Sequence, residues 1–133
     1  MLTLAVTPGD PDGIGPEIFA KTLRRGLVPR GVRLIAFGSH EPYSRLGLKP
    51  ILIPEDAHFE RLRDPGPRAF YLVSAPTSKG SGDSRSRARH CGAVSGWAVE
   101  HAARSVLAGR TSALVTGPIS KERINLAGYS YPG

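Results

Sequence analysis

Thr7-Pro8-Gly9-Asp10-Pro11-Asp12-Gly13-Ile14-Gly15-Pro16-Glu17 is the stretch that decides the fold. It follows a short apolar run, Leu2 to Val6, and leads into an apolar-periodic segment from Ile14 to Leu27. That order reads as strand, glycine-rich turn and helix. Pro8, Pro11 and Pro16 each fix φ near about −65°. Gly9, Gly13 and Gly15 leave room for another group to approach the backbone. Pro16 suits the first turn of a helix, where its missing N–H is not needed, and Glu17 falls near the positive end of the helix dipole. A chain that only had to reverse direction would not need this much specification.

Outward from this stretch, a helix is expected over about Gly15 to Arg25, with Ile14, Ile18, Phe19, Thr22 and Leu23 near one face. Gly26 is its expected cap. Val32 to Phe37 is almost wholly apolar, as a strand covered on both faces should be. Gly38-Ser39-His40-Glu41-Pro42 is a second strand-to-helix junction, with Ser39 or His40 capping a short helix to about Leu46. Ile51 to Ile53 and Ala69 to Ser74 read as further strands, separated by the breaker Pro65-Gly66-Pro67. Residues 76–91, rich in Ser, Gly and Arg without apolar periodicity, are expected to form a flexible basic loop. Gly92 to Leu107 carries the strongest helical pattern, with Val94, Trp97, Ala98, His101, Ala102 and Val106 at three- and four-residue spacing. Ala113 to Thr116 is a last strand, Gly117-Pro118 breaks it, and Ile119 to Leu126 is a short helix.

Strands alternating with helices define an α/β protein with a largely parallel sheet. Ligands of such sheets bind beyond the carboxyl ends of the strands. Thr7 to Glu17 and Thr116 to Asn125 both occupy that position.

Composition narrows the class. Of 133 residues, 40% are hydrophobic and 22% charged, which is a folded globular balance. Gly 16 and Pro 12 imply many turns and exclude a coiled coil or long bundle. The net charge of +7 suits anionic partners such as phosphorylated metabolites or nucleotides, or simply a solvated basic surface. A single cysteine, Cys91, excludes an internal disulfide and agrees with a reducing compartment. The N-terminus has no basic region and too short an apolar run for a signal peptide. No stretch approaches the ~18 apolar residues of a membrane span. A cytoplasmic location is the expectation.

The glycine-rich stretch lacks the third glycine of a dinucleotide fingerprint and the Gly-Lys-Ser/Thr of a P-loop. It is a rigid loop feeding a helix N-terminus where an anion can sit, or a proline-braced connection without a ligand. Lys121 suits a phosphate or carboxylate, or is a solvated surface lysine. His40, His58, His90 and His101 show no metal-ligand spacing, and Cys91 beside His90 is not a sufficient site, so no complete metal centre is expected. His101 reads as packing on its helix. Asp10 and Asp12, close together in one loop, suit either a cation or a cap for the helix beginning at Ile14, and the cap is the expectation. Lys79, Arg85, Arg87 and Arg89 suit phosphate or nucleic acid, but no aromatic residue among them can stack a base.

Two stretches carry a resemblance. Thr7 to Glu17 is similar to the N-terminal signature of the 4-hydroxythreonine-4-phosphate dehydrogenase family, and Leu114-Val-Thr-Gly-Pro-Ile-Ser-Lys-Glu-Arg-Ile-Asn-Leu-Ala-Gly128 to a second signature of the same family. The helix with Gly96, Ala98 and Ala102 lies between them, as in that family. The loop also resembles the Gly-Asp-Gly-Ile-Gly-Pro-Glu start of isocitrate and isopropylmalate dehydrogenases. The resemblance implies an isocitrate/isopropylmalate dehydrogenase-like three-layer sandwich, with residues 1–133 as the truncated N-terminal portion of a two-domain enzyme. It implies NAD-dependent oxidation and decarboxylation of 4-phosphooxy-threonine in pyridoxal 5'-phosphate biosynthesis, or oxidation of a related acid phosphate such as threonate or erythronate 4-phosphate. It further implies a homodimer and a divalent metal (Zn, Mg or Co) held by three histidines.

The same resemblance assigns cofactor binding to Asp12, Gly13, Ile14 and Gly15, and substrate binding to Thr116 and Lys121. Asp12 departs from the alanine usual in the family. The metal histidines and the further substrate ligands have no counterpart in this sequence, so the chain alone is expected to be inactive. A reading from a different class is a small basic nucleic-acid-binding module built on the Arg85 loop.

Overall fold

The apolar run of β2, Val32–Gly38, places side chains alternately on the two faces of a sheet, and both faces are covered. In the computed structural model, which describes residues 1–76 and 82–131, Leu34 and Ala36 pack with Phe19, Leu23, Tyr43 and Phe70 on one side. Ile35 and Phe37 pack with Phe59, Tyr71, Ala98 and Ala102 on the other. The elements run β1 (Leu2–Thr7), α1 (Gly15–Arg24), β2, α2 (Glu41–Arg45), β3 (Ile51–Leu52), β4 (Tyr71–Ser74), α3 (Ser84–Leu107), β5 (Ala113–Thr116) and α4 (Lys121–Leu126). The sheet order is β3-β4-β2-β1-β5, and every pairing is parallel. The α/β expectation holds, with α1 on one face of the five-stranded sheet and α3 on the other.

α1 buries Gly15, Pro16, Phe19, Ala20 and Leu23. Phe70 meets Phe19 edge-on at 4.9 Å and Tyr43 at 5.0 Å, favourable arrangements for ring quadrupoles. The face expected from the sequence is rotated: Ile14 and Ile18 are 60% and 50% exposed. The reason is that β5, the strand beside α1, is an edge strand among the described residues, so the aliphatic stripe of α1 reaches past the sheet.

α3 begins at Ser84, not Gly92, which corrects the loop expected over 76–91 for residues 84–91. Asp83 supplies the start signal, its carboxylate accepting from Ser86 N at 2.7 Å. The first two turns carry mostly polar and charged side chains, exposed or half-buried, so no apolar period marks them. Lys79, placed in that loop by the sequence, lies outside the described residues.

Small residues on α3 let α4 lie directly against it. A Cβ at Gly92 would fall 1.8 Å from the Arg123 carbonyl oxygen, and one at Gly96 would fall 2.4 Å from the Tyr129 ring. At the opposite end of the sheet, Arg33 is buried with no carboxylate partner among the described residues. Its Nη2 and Nε donate to Thr3 Oγ1 at 2.9 and 3.2 Å, and its Nη1 to the Leu62 carbonyl. His101 stacks on Trp97 at 4.2 Å and pairs through Nδ1 with the Glu55 carboxylate, in keeping with a packing role. No helix among the described residues is long and apolar enough to cross a membrane.

Candidate active-site crevice

The strand order reverses at β1. The β1–α1–β2 crossover moves the chain to one side, and β4–α3–β5 brings it back to the other. Crevices at such reversals, beyond the carboxyl ends of the strands, are where open α/β sheets take ligands. Here β1 and β5 are paired through Thr7↔Thr116, and the loops leaving them lie side by side.

Glycines make that contact. Gly9 adopts φ +94°, and a Cβ there would fall 2.0 Å from the Pro118 carbonyl oxygen. A Cβ at Gly15 or Gly117 would fall 1.6 or 2.3 Å from the Pro8 carbonyl oxygen. Two backbone hydrogen bonds close the seam: Asp10 N donates to Pro118 O at 3.1 Å and Gly117 N to Thr7 O at 2.6 Å. Above the seam is a cavity of about 360 Å3, with Asp10, Asp12, Gly13 and Ile14 on one wall and Pro118 to Ser120 with Arg123 on the other.

The two aspartates do not cap α1. Its N-cap, Ile14, has no side-chain cap bond, and both carboxylates turn to arginines instead. Asp10 is 7% exposed and receives Arg123 Nη1 on its two oxygens at 3.1 and 3.2 Å, while its Oδ1 also accepts from Asp12 N at 2.8 Å. Asp12 receives a two-pronged contact from Arg87, with Nη2 at 2.6 Å and Nε at 3.0 Å. Arg123 and Arg45 stand 3.6 and 3.8 Å from it, and the Cys91 thiol donates to it at 3.4 Å.

The hydrogen bonds from Arg87 hold the Asp12 carboxyl down at about 2, against the opposing effect of burial. Burial pushes the Cys91 thiol up to about 12, which makes it a poor nucleophile. Arg87 also donates to Glu41 at 3.0 Å, and Arg45 to the Pro11 carbonyl at 2.8 Å. The glycine-rich loop is therefore fastened by arginines from three helices, α2, α3 and α4.

Of the residues expected to bind the cofactor, Asp12, Gly13 and Ile14 line the crevice. Gly15 is buried under it, and its lack of a side chain serves the contact with Pro8. Thr116 and Lys121 are exposed, and Lys121 makes no ion pair among the described residues. Thr116 lines a separate apolar groove between α1 and β5. Arg87, expected in a solvated loop or on nucleic acid, is turned onto Asp12 and Glu41.

Sequence reasoning missed Arg45, Arg87 and Arg123 as residues of the site, because their partners are distant in the chain. It also missed the Thr7 hydroxyl. Thr7 is 1% exposed, stands where the two loops diverge, and its Oγ1 is buried without a hydrogen-bond partner. Among the described residues no group of three His, Cys, Asp or Glu side chains is placed to hold a metal ion.

The fold and the paired loops define a parallel α/β protein with a ligand crevice at its strand reversal. No protein-family model matches the chain. It is 32% identical to the D-threonate 4-phosphate dehydrogenase of Salmonella typhimurium, over 98% of this chain and 41% of that one. It is 38% identical to the 4-hydroxythreonine-4-phosphate dehydrogenase of Prosthecochloris aestuarii, over 100% of this chain and 41% of that one. Among solved structures, the 4-hydroxythreonine-4-phosphate dehydrogenase of Klebsiella pneumoniae superimposes with a TM-score of 0.74 at 26% identity, covering 100% of this chain and 42% of that one. By sequence and fold the chain is similar to 4-hydroxythreonine-4-phosphate and D-threonate 4-phosphate dehydrogenases, and it spans about two fifths of the length of the relatives it matches.

Proposed function

We propose that this chain supplies one wall of the cofactor and substrate crevice of an NAD-dependent dehydrogenase acting on 4-phosphooxy-threonine. In the whole enzyme, a homodimer, the secondary alcohol is oxidised and the product decarboxylated on the way to pyridoxal 5'-phosphate. The observation that carries this reading is the glycine-packed pair of loops at the strand reversal, in a chain similar along its whole length to dehydrogenases of phosphorylated hydroxy acids.

The crevice residues suit a nucleotide. Asp12 offers a carboxylate to hydroxyl groups, the uncapped start of α1 at Ile14 leaves backbone N–H groups for an anion, and Gly13 leaves room for both. NAD, when bound, supplies the hydride acceptor. Thr116 and Lys121 serve the substrate, with Lys121 as a counter-charge for its phosphate or carboxylate. The described residues offer no group of three metal ligands, which supports a reading in which the chain alone is inactive.

A second substrate, D-threonate 4-phosphate, is favoured by the name of the Salmonella typhimurium relative. The test is amide NMR of the protein. NAD should perturb Asp12, Gly13 and Ile14, and unchanged resonances there overturn the cofactor assignment. Adding 4-phosphooxy-threonine and D-threonate 4-phosphate separately, and comparing shifts at Thr116 and Lys121, ranks the two substrates. NADH formation by the protein with NAD, metal and either substrate would overturn its inactivity.

A further inference from the structure

Asp12 stands on the crevice wall with little acceptor capacity to spare. A carboxylate offers about four lone-pair sites. Arg87 Nη2 takes one on Oδ1 at 2.6 Å. Arg87 Nε and the Cys91 thiol take two on Oδ2, at 3.0 and 3.4 Å. Among the hydrogen bonds of the described residues, the site left over is on Oδ1. With so little capacity left, the orientation of the carboxylate decides whether a ligand in the crevice meets an acceptor.

The backbone of Asp12 is fixed separately from its side chain. Its N–H donates to Asp10 Oδ1 at 2.8 Å, and Arg123 Nη1 holds Asp10 in turn. The plane of the carboxylate is left to Arg87. Arg123 and Arg45 stand 3.6 and 3.8 Å from Asp12, beyond hydrogen-bond distance, and Arg45 donates to the Pro11 carbonyl instead. Arg87 alone among the three places one nitrogen on each oxygen, a fork that sets the direction of the group as well as matching its charge. Its third nitrogen, Nη1, donates to Glu41 Oε2 at 3.0 Å, so the guanidinium is itself held from the start of α2. Arg87 does not line the crevice.

The geometry points to Arg87 as a positioning residue: it sets the Asp12 carboxylate to receive a sugar hydroxyl of the nucleotide without touching the nucleotide itself. This rests on the reading of Asp12 as a contact of NAD. The gain is preorganisation, since a side chain already held in place loses less freedom when the ligand arrives.

The test titrates NAD into the full chain and follows the amide resonances of Gly13 and Ile14. Four proteins are compared: wild type, Arg87→Gln, Asp12→Asn and the double variant. Gln and Lys match Arg in helix propensity, so α3 keeps its second turn in these variants. Arg87→Gln should weaken NAD about fivefold. In the Asp12→Asn background the same change should cost less than about twofold, because the group it positions is gone. Equal losses in the two backgrounds mean a merely structural role and overturn the proposal, as does unchanged affinity in Arg87→Gln. Arg87→Lys keeps the charge without the fork, and wild-type affinity there overturns the proposal too. Should Arg87→Gln not fold, Arg87→Lys takes its place in both backgrounds. A wild type without NAD shifts overturns the cofactor reading and the positioning role together, whereas wild-type shifts with an indifferent Arg87→Gln overturn the positioning role alone.

Discussion

Arg87 reaches across 75 residues of sequence to grip Asp12 with two nitrogens, Nη2 at 2.6 Å and Nε at 3.0 Å. The contact fastens the glycine-rich loop to the first turns of α3. Both side chains are partly screened by solvent, 33% and 26% exposed, so the coupling is worth less than a buried pair. Asp12→Asn should cost about 1–2 kcal/mol at pH 7.

The same pair sets an acid response. Asp12 is held at about 2, below the usual ~3.9 of an aspartate. A carboxylate depressed in the folded state stabilises it fully above the unfolded value, and loses that contribution as pH falls through the folded one. The stability gap between the wild type and Asp12→Asn should therefore be full above about pH 4 and close toward pH 2. Urea titrations at several pH values measure the gap. A gap that stays constant across this range would show that Asp12 acts through packing and not charge.

The contrast between this pair and the rest of the fold shows what a sequence reveals. The apolar run 32–37 announced a doubly covered strand, and the period of 92–107 announced a helix, because burial leaves its spacing in the sequence. The first two turns of α3 were hidden because polar and charged side chains dominate them and they are held by a cap at Asp83. The glycine-rich loop announced that something approaches its backbone, and at Gly9 and Gly15 that something is the protein itself. Asp12 with Arg87, or Asp10 with Arg123, leaves no local trace, since each pair joins residues brought together only by the completed sheet.

At the far end of the sheet, Thr3 and Arg33 make a pair whose single changes should be worse than the double. Thr3→Val removes the acceptor of two bonds from a buried guanidinium. An unpaired buried charged donor costs about 1–3 kcal/mol or more. Thr3→Val with Arg33→Met removes both partners and should recover much of that loss. Chemical denaturation of the three variants closes the cycle. Additive losses would show that Leu62 and solvent, not Thr3, satisfy Arg33.

Gly92 and Gly96 allow a prediction against intrinsic propensity. In a helix interior, Gly→Ala normally gains about 0.8–1.0 kcal/mol. At Gly92 the new methyl meets the Arg123 carbonyl, a backbone atom that cannot turn aside. Gly92→Ala should therefore destabilise, by about 1–3 kcal/mol, and displace α4. Gly96→Ala meets the ring of Tyr129, which can rotate, and should cost less. Thermal melts followed by circular dichroism rank the two. A stabilised Gly92→Ala would mean that α4 does not pack on α3.

The last pair of variants separates glycine needed for the fold from glycine facing the crevice. Gly13 and Gly15 are two residues apart and neither has a positive φ, so alanine is conformationally admissible at both. Their surroundings differ. A Cβ at Gly13 comes no closer than 3.3 Å, to atoms of Asp10, and a few tenths of an ångström of movement accommodates it. A Cβ at Gly15 would land 1.6 Å from the Pro8 carbonyl oxygen, inside the seam that joins the loops after β1 and β5. Gly13→Ala should fold with a change within about 0.5 kcal/mol while narrowing the crevice, and so weaken NAD shifts at Asp12 and Ile14. Gly15→Ala should part the loops and lose about 2 kcal/mol or more of stability. Equal stability of the two variants would mean that the loops do not touch as described. Undiminished NAD shifts in a folded Gly13→Ala would move the cofactor out of this crevice.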